Sequence, residues 1–204
     1  MKIRDVATVI EEFAPLQLQE TYDNSGLNIG FPDAELTGVL ICVDVTEAVV
    51  DEAIGHRANL IVSHHPLLFH PLRRIVGADA SQRIAARCLI AGISLYAAHT
   101  NLDSAAGGMS FRLGKLLGLT GMRVLSPHRD GAETGFGVVG DLPEAIPVSG
   151  FLHQVKSVLH CGAIRHSELC REQVRRVALV TGAGASMLGD AVAAGADIYL
   201  TADM

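Results

Sequence analysis

Two adjacent histidines, His64 and His65, follow the apolar run Leu60 to Ser63 and precede Pro66. The run predicts a strand, and Pro66 prevents the backbone from continuing as a regular strand or helix. Because neighbouring side chains of a strand point to opposite faces, both imidazoles reach one place only if the chain turns there. Neutral imidazole is the commonest protein ligand of first-row divalent metals. The alternative is a histidine pair that only caps a buried strand by hydrogen bonds.

A second predicted strand, Ile93 to Ala98, ends at His99 and is followed by Asp103. In open α/β sheets, ligands bind beyond the carboxyl ends of the strands, so we expect these side chains to meet the histidine pair. Asp103 can supply the carboxylate that the pair lacks and can bridge two ions. His99 either binds metal directly or holds a ligand through an outer hydrogen bond.

The elements that carry these residues have the order of a β-α-β unit, which predicts parallel strands and a right-handed crossover. Asp44 directly follows the predicted strand Gly38 to Val43 and is a weaker candidate for the same edge of the sheet. The alternative is that Asp44 caps the helix that begins near Thr46. A left-handed cap is expected at Gly55. The predicted elements are a helix at Lys2 to Phe13, a buried strand at Gly38 to Val43, a helix at Thr46 to Ile54, and a helix at Ser81 to Ala91 that ends at Gly92.

A second lobe is predicted to begin near Thr120, because glycine, proline and polar residues become frequent after Gly121. This gives two domains, residues 1–120 and 121–204. A helix with Met109, Leu113, Leu116 and Leu117 on one face precedes the boundary. Beyond it the sequence predicts a strand at Thr134 to Gly140 and a helix at Ser149 to Leu159. The segment Val177 to Ser186 predicts a strand, then a glycine turn, then a helix. The last strand is Asp197 to Leu200, followed by Thr201 to Asp203.

The composition excludes several classes of protein. With 49% hydrophobic and 19% charged residues, the chain is compact and not disordered. It has no apolar run long enough to span a membrane, and acidic residues interrupt the amino-terminal segment, so it lacks a signal peptide and is expected to be cytoplasmic. The net charge of -6, without a basic cluster, argues against generic nucleic-acid binding.

The remaining metal-ligating residue types show no ligand spacing. The four cysteines form no CxxC pair and are expected to be reduced thiols in the core. Four scattered histidines lack partnered carboxylates and are expected at the surface or at its boundary: His128, His153, His160 and His166.

Two loops combine glycine with short polar side chains. The segment Tyr22 to Gly30, which includes Asp23 and Asn24, fits either a surface loop or a loop that lines a site. Gly182 and Gly184 follow a strand, but the spacing matches neither a dinucleotide fingerprint nor a P-loop. A tight turn is favoured there, and close approach to a phosphate is the alternative.

Taken together, these motifs resemble the Nif-three-like family of dinuclear-metal proteins, often named GTP cyclohydrolase 1 type 2. The likeness covers essentially the whole chain, although Tyr22 stands where the family usually has Trp. It rests on Asp23 to Leu27, Ile61 to Pro66, Ala98 to Asp103, Gly182 to Gly184 and Tyr199 to Met204, of which the second and third are the specific motifs.

The resemblance implies that His64, His65 and Asp103 hold two divalent metal ions. It also implies two similar α/β lobes with the metals between them, at the carboxyl ends of the strands, and assembly as a homohexamer built from dimers. Members of that family continue into a segment with a further His and Glu ligand, whereas here Ala202 replaces a glycine and the sequence stops at Met204. That ending predicts either an incomplete version of a longer protein or a natural truncation with an impaired site, and we expect the first.

The leading hypothesis is a metal-dependent hydrolase in which the ions activate a bound water. If the family name holds, the substrate is GTP, the target is C8 of the guanine ring, and Asp23, Asn24 or His99 orient substrate or relay protons. Nitrogen and oxygen ligands admit Zn, Mn, Fe, Ni or Co. The alternatives are a non-catalytic metal-binding or regulatory protein that forms a ring, and a nucleotide-binding module that uses Gly182 and Gly184.

Overall fold

The computed structural model of the protein describes residues 1–128 and 131–202. The chain divides into two compact units, Met1–Leu102 and Asp103–Met204. The boundary therefore lies earlier than the predicted one at residue 120, since the helix that follows Gly108 packs with the strands that come after it. The predicted terminal turn is described only to Ala202, and Asp203 lies outside the described residues.

The first unit contains a four-stranded sheet in the order β1-β4-β3-β2. Its strands are β1 (Gly26–Ile29), β2 (Val39–Cys42), β3 (Leu60–Ser63) and β4 (Ser94–Ala97). β2, β3 and β4 are parallel, as predicted, and β1 is antiparallel to β4. The register pairs Cys42 with Ser63 and Ser63 with Ala97, so the three parallel strands end side by side.

Helices pack on both faces of the sheet. Thr46 accepts a hydrogen bond from the Val49 amide and caps α2, so the alternative in which Asp44 caps this helix is wrong. The left-handed cap expected at Gly55 is also wrong, because Arg57 is the residue with positive φ. Gly92 ends α3 in the left-handed conformation, as predicted. The helices are α1 (Ile3–Phe13), α2 (Glu47–Gly55), α3 (Ala80–Ala91) and α4 (Thr100–Ser104).

Alternation along the strands divides the buried side chains between the two faces of this sheet. Leu60 and Tyr96 pack with Ile3 of α1 on one face. Ile61 and Leu95 pack with residues of α2 and α3 on the other. β2 was expected to be buried, but it is an edge strand of the sheet and is covered on one face only. Leu40 and Cys42 pack against the cluster that contains residues of α2 and α3, whereas Ile41 on the other face is 80% exposed.

The second unit has a sheet in the order β5-β6-β7-β8. β5, β6 and β7 are antiparallel, and β8 is parallel to β7. The sequence predicted only Thr134 to Gly140 as a strand in the hairpin region, because glycines and prolines conceal the alternation of the longer strands β5 and β6. The elements are α5 (Met109–Leu116), β5 (Thr120–His128), β6 (Gly131–Pro147), α6 (Val148–Val158), β7 (Gln173–Leu179), α7 (Leu188–Ala193) and β8 (Ile198–Leu200).

The glycine motif forms a tight turn, as favoured from the sequence. Gly182 has a φ of 80°, and the Thr201 hydroxyl donates to its carbonyl. The Gly184 amide donates in turn to the Thr201 oxygen. The Gly182 carbonyl and the Gly184 amide are therefore both hydrogen-bonded to Thr201, a residue of the same unit.

The four cysteines carry free thiols, but they do not all lie in the core. Cys88 is buried between α3 and the sheet and Cys42 is half-buried, whereas Cys170 is exposed. Burial raises the pKa of the Cys88 thiol to about 11, so this thiol stays protonated and acts as a small apolar side chain.

No helix among the described residues is both long enough and apolar enough to cross a membrane.

The contact between Gly30 and β4 predicts a large effect of one methyl group. Gly30 has a φ of 120°, and a Cβ there would lie 2.5 Å from the Ser94 Cα atom. We expect Gly30→Ala to lower the free energy of unfolding by about 2 to 4 kcal/mol, measured by urea denaturation. The control is Gly92→Ala, which has positive φ but open space and should cost about 1 kcal/mol. Equal losses in the two variants would contradict the packing argument.

Candidate metal centre

Three imidazoles meet at the carboxyl ends of β3 and β4. His64, His65 and His99 each offer a nitrogen, and these nitrogens all lie within 4.8 Å of one another. Their ring centroids are 5.0 to 5.6 Å apart. We call these residues the imidazole cluster. The parallel register positions it, because β3 and β4 are adjacent and end side by side.

The chain bends directly after β3, and this bend brings two neighbouring histidines to one place. The His64 amide still donates to the carbonyl of Cys42, the last residue of β2, and the His65 amide donates to the carbonyl of Val43, which follows it. The Ser63 hydroxyl donates to the His65 carbonyl at 2.9 Å and holds the bend closed. The predicted convergence of the histidine pair therefore occurs.

His99 is fixed by a buried amide that the sequence analysis did not single out. The Asn101 side chain accepts from the His99 amide at 3.0 Å and donates to the Ala14 carbonyl at 2.7 Å. Asn101 is fully buried, so these bonds offset the cost of removing its amide from water. The only sequence signal for this role was its position directly after His99 and Thr100.

Each imidazole of the cluster uses Nδ1 to bind an acceptor. Nδ1 of His64 lies 2.8 Å from the Ala98 carbonyl oxygen. Nδ1 of His65 lies 2.7 Å from Asp44 Oδ1, and Nδ1 of His99 lies 2.8 Å from Asp23 Oδ1. Carbonyl and carboxylate oxygens only accept, so Nδ1 carries the proton and Nε2 carries the lone pair in the neutral ring. Metal-binding histidines in proteins are held in this way.

Asp23 is ionised at the base of this arrangement. Burial of its carboxylate opposes ionisation and would raise its pKa, but hydrogen bonds from Thr100, His99, Ser25 and the Asn24 amide outweigh burial and lower the pKa to about 2. Its side chain is inaccessible to solvent. An inaccessible carboxylate with so low a pKa is a poor proton acceptor near neutral pH, and its contacts fit the positioning of His99.

Asn24, Asp103 and Asp44 are the remaining site residues predicted from the sequence. Asn24 donates through its side chain to the Leu68 carbonyl, which joins its loop to the segment that follows the histidine pair. Asp103 lies in α4. Its role as a ligand stays a prediction, as does the location of the metals between two lobes. Asp44, ranked low from the sequence, is the partner of His65.

The donor set fits a divalent metal ion of the first transition row. Three imidazoles, each oriented by an outer hydrogen bond, are typical ligands of Zn, Fe, Co or Ni. The alternative that these histidines only cap a strand accounts for the Nδ1 contacts of one ring, but not for the convergence of three rings from two strand ends.

Comparisons with known proteins agree with this fold. The sequence profile of Duf34/NIF3 (NGG1p interacting factor 3) matches residues 1–204, so the chain belongs to that family. It is 34% identical over 203 residues to a GTP cyclohydrolase 1 type 2 homolog of Clostridium perfringens, covering 100% of this chain and 78% of that relative. A protein of the same name from Lactococcus lactis is 33% identical over 207 residues, again covering 100% of this chain and 78% of the relative.

A solved structure, the Bacillus cereus protein related to NIF3, superposes with a TM-score of 0.92 at 26% identity. The match covers 100% of this chain and 83% of that one. The predicted family and the mixed α/β fold are therefore confirmed.

The contact between Asp44 and His65 predicts a loss of metal affinity without loss of a ligand. We expect Asp44→Asn to weaken binding of Zn or Co by about 10- to 100-fold, because the neutral amide that replaces the carboxylate is a weaker acceptor for His65 Nδ1 and carries no negative charge. Competition with a chromogenic chelator measures this change. Glu47→Gln, which removes a nearby carboxylate bonded to Arg83, is the matched control and should leave the affinity unchanged. An unaltered affinity in Asp44→Asn would argue against the orienting role.

The low pKa of Asp23 predicts a pH-dependent contribution to the stability of metal-free protein. Because the folded-state pKa is about 2 and the reference value is 3.8, the contribution is full above pH 5 and declines as the pH falls towards 2. We expect Asp23→Asn to lower the free energy of unfolding by about 2 kcal/mol at pH 7, with a smaller difference at pH 3. Urea titrations at both pH values test this. The exposed Asp33→Asn is the control, and a pH-independent deficit in Asp23→Asn would contradict the assignment.

Proposed function

We propose that the protein is a metal-dependent hydrolase whose ion is held by the imidazole cluster. The observation that supports this most directly is the common orientation of the three rings, each with Nδ1 bonded to an acceptor. A metal ion so held lowers the pKa of bound water towards neutrality and polarises an electrophile. The carboxylates of Asp44 and Asp23 accept from Nδ1 of His65 and His99, and their negative charge makes Nε2 of these two rings a stronger ligand.

The exposure of the histidine side chains indicates which side of the cluster a substrate can reach. The His65 ring is 51% exposed, so this side of the cluster is accessible to a substrate. The His99 ring is only 18% exposed and is fixed from behind by Asp23. We assign His64, His65 and His99 as ligands, and we retain Asp103 as a proposed carboxylate ligand and a second divalent ion as part of the proposal.

The proposed substrate is GTP, on the strength of the name shared by the relatives from Clostridium perfringens and Lactococcus lactis. The proposed reaction is hydrolytic opening of the imidazole portion of the guanine ring at C8. Asn24 and the exposed side of His65 are the polar groups of the first unit that we assign to orienting the substrate. The proposed assembly is a homo-oligomer of the hexameric type.

A second candidate function is metal binding without turnover, in a regulatory protein. The state of Asp23 favours this candidate, since its carboxylate is inaccessible and its pKa of about 2 gives it little capacity to accept a proton near neutral pH. This candidate requires the same imidazole cluster and predicts tight metal binding with no change in GTP.

One experiment separates the two candidates. GTP is incubated with protein loaded with Zn, Mn, Fe, Co or Ni, and the purine absorbance and the products are followed. The hydrolase proposal expects a metal-dependent loss of the purine spectrum that falls at least about 100-fold in His65→Ala, as expected when a metal ligand is removed. His153→Ala, which removes an exposed histidine of α6, is the control and should retain the activity.

Metal content measured on the same samples completes the experiment. If the protein binds metal, His65→Ala does not, and GTP is unchanged in every sample, the hydrolase proposal is rejected and the metal-binding regulatory protein is supported. Metal binding that survives removal of His64, His65 and His99 together would reject both.

A further inference from the structure

We propose that Tyr22 and Phe69 form the surface on which the planar ring of the substrate stacks beside the imidazole cluster. This inference rests on the proposed function, because it assigns a binding role at the same site. It adds that the ligand is a planar heteroaromatic compound, and it names the side chains that distinguish such a ligand from one without a ring.

The two aromatic side chains continue the row of rings that begins at the cluster. The Phe69 ring lies edge-on to His99, with centroids 6.2 Å apart and planes at 84°. The Tyr22 ring lies beyond Phe69, at a centroid distance of 6.3 Å and an interplanar angle of 55°. The three imidazoles of the cluster and the rings of Phe69 and Tyr22 thus form one contiguous surface in the first unit.

Both aromatic rings present surface to solvent. Tyr22 is 64% exposed and Phe69 is 37% exposed, although each is large and mostly apolar. A single exposed apolar side chain is common on protein surfaces and needs no function. Here, however, two of them adjoin a cluster of oriented polar groups, and apolar surface with a few convergent polar groups is typical of a small-molecule site.

The loops that carry these rings are bonded to each other. The Asn24 side chain donates to the Leu68 carbonyl at 2.7 Å, and the Asn28 side chain donates to the Asn24 carbonyl at 2.9 Å. The first bond connects the residue that follows Asp23 to the residue that precedes Phe69, and the second bond lies within the loop that follows Tyr22. The aromatic surface therefore has a fixed backbone on both sides, which reduces the entropy lost when a ligand binds.

The chemistry of this surface selects the class of ligand. Aromatic side chains stack on nucleobases through their faces, and this contact tolerates any base because every base has a π-face. Because the planes of Tyr22 and Phe69 are 55° apart, a planar ligand stacks on the face of one ring and contacts the other ring with its edge, next to the imidazole cluster. The guanine of GTP satisfies this requirement, whereas an inorganic phosphate has no ring to stack.

Binding measurements with two probes test the inference. GTP and inorganic tripolyphosphate are each titrated calorimetrically into Zn-loaded protein, because they share the phosphate chain and differ in the base and ribose. Tyr22→Leu and Phe69→Leu keep an apolar side chain but remove its π-face. We expect each variant to weaken GTP binding by about 10-fold and to leave tripolyphosphate binding and Zn content unchanged.

The matched control is Phe31→Leu. Phe31 is 45% exposed, close to the value for Phe69, but its amide bonds to Ser94 at the opposite end of β4 from the cluster. This variant should bind both probes as the original protein does.

The results separate this inference from the proposed function. GTP binding that exceeds tripolyphosphate binding and falls in the two site variants supports the aromatic surface, even if GTP is never hydrolysed. The inference is overturned if the wild-type protein binds GTP no more tightly than tripolyphosphate. It is also overturned if Tyr22→Leu and Phe69→Leu keep the preference for GTP. Loss of hydrolysis alone bears only on the proposed function.

Discussion

The hydrogen bonds to Nδ1 of three histidines are the interactions on which the site depends. Each acceptor comes from a different segment: the Ala98 carbonyl at the end of β4, Asp44 after β2, and Asp23 in the loop before β1. A ring free to rotate would present either nitrogen in many directions. Because each ring is held by one bond at Nδ1, the lone pair of Nε2 is fixed in direction, and this is the property that a metal ligand requires.

The register of the sheet brings the histidines and their acceptors to the same edge. In the parallel register, the ends of β2, β3 and β4 align, so residues that immediately follow three strands are neighbours. The crossovers through α2 and α3 place residues distant in sequence at this edge. The buried polar groups beneath it are satisfied, since Asp23 accepts from Thr100 and Ser25, and Asn101 bonds to His99 and Ala14. An unpaired carboxylate or amide at these positions would cost free energy of folding.

Much of this site was predictable because local patterns determine it. An apolar run followed by two histidines and a proline identifies a strand end, and the spacing of the next strand supplies His99. The resemblance to the family was carried by the same residues and is confirmed by the family match over residues 1–204. The partners of Asp44 and Asp23 were less predictable, because these contacts join residues that are far apart in the sequence. Asp44 was a candidate for this edge, with capping of the helix near Thr46 as its alternative, and its carboxylate contacts a ring 21 residues away.

The amino-acid sequence by itself determined the parallel strands of the first unit, the meeting of His64, His65 and His99 at their ends, and the family, since these follow from alternation, turn residues and short motifs. The tertiary structure decided which nitrogen each imidazole presents, that Asp23 is ionised and inaccessible, and that Tyr22 and Phe69 adjoin the cluster. It also decided that β2 is an exposed edge, although its composition suits a buried strand. The physical reason is that orientation, burial and charge state depend on which distant segments meet, and a local pattern does not carry that information.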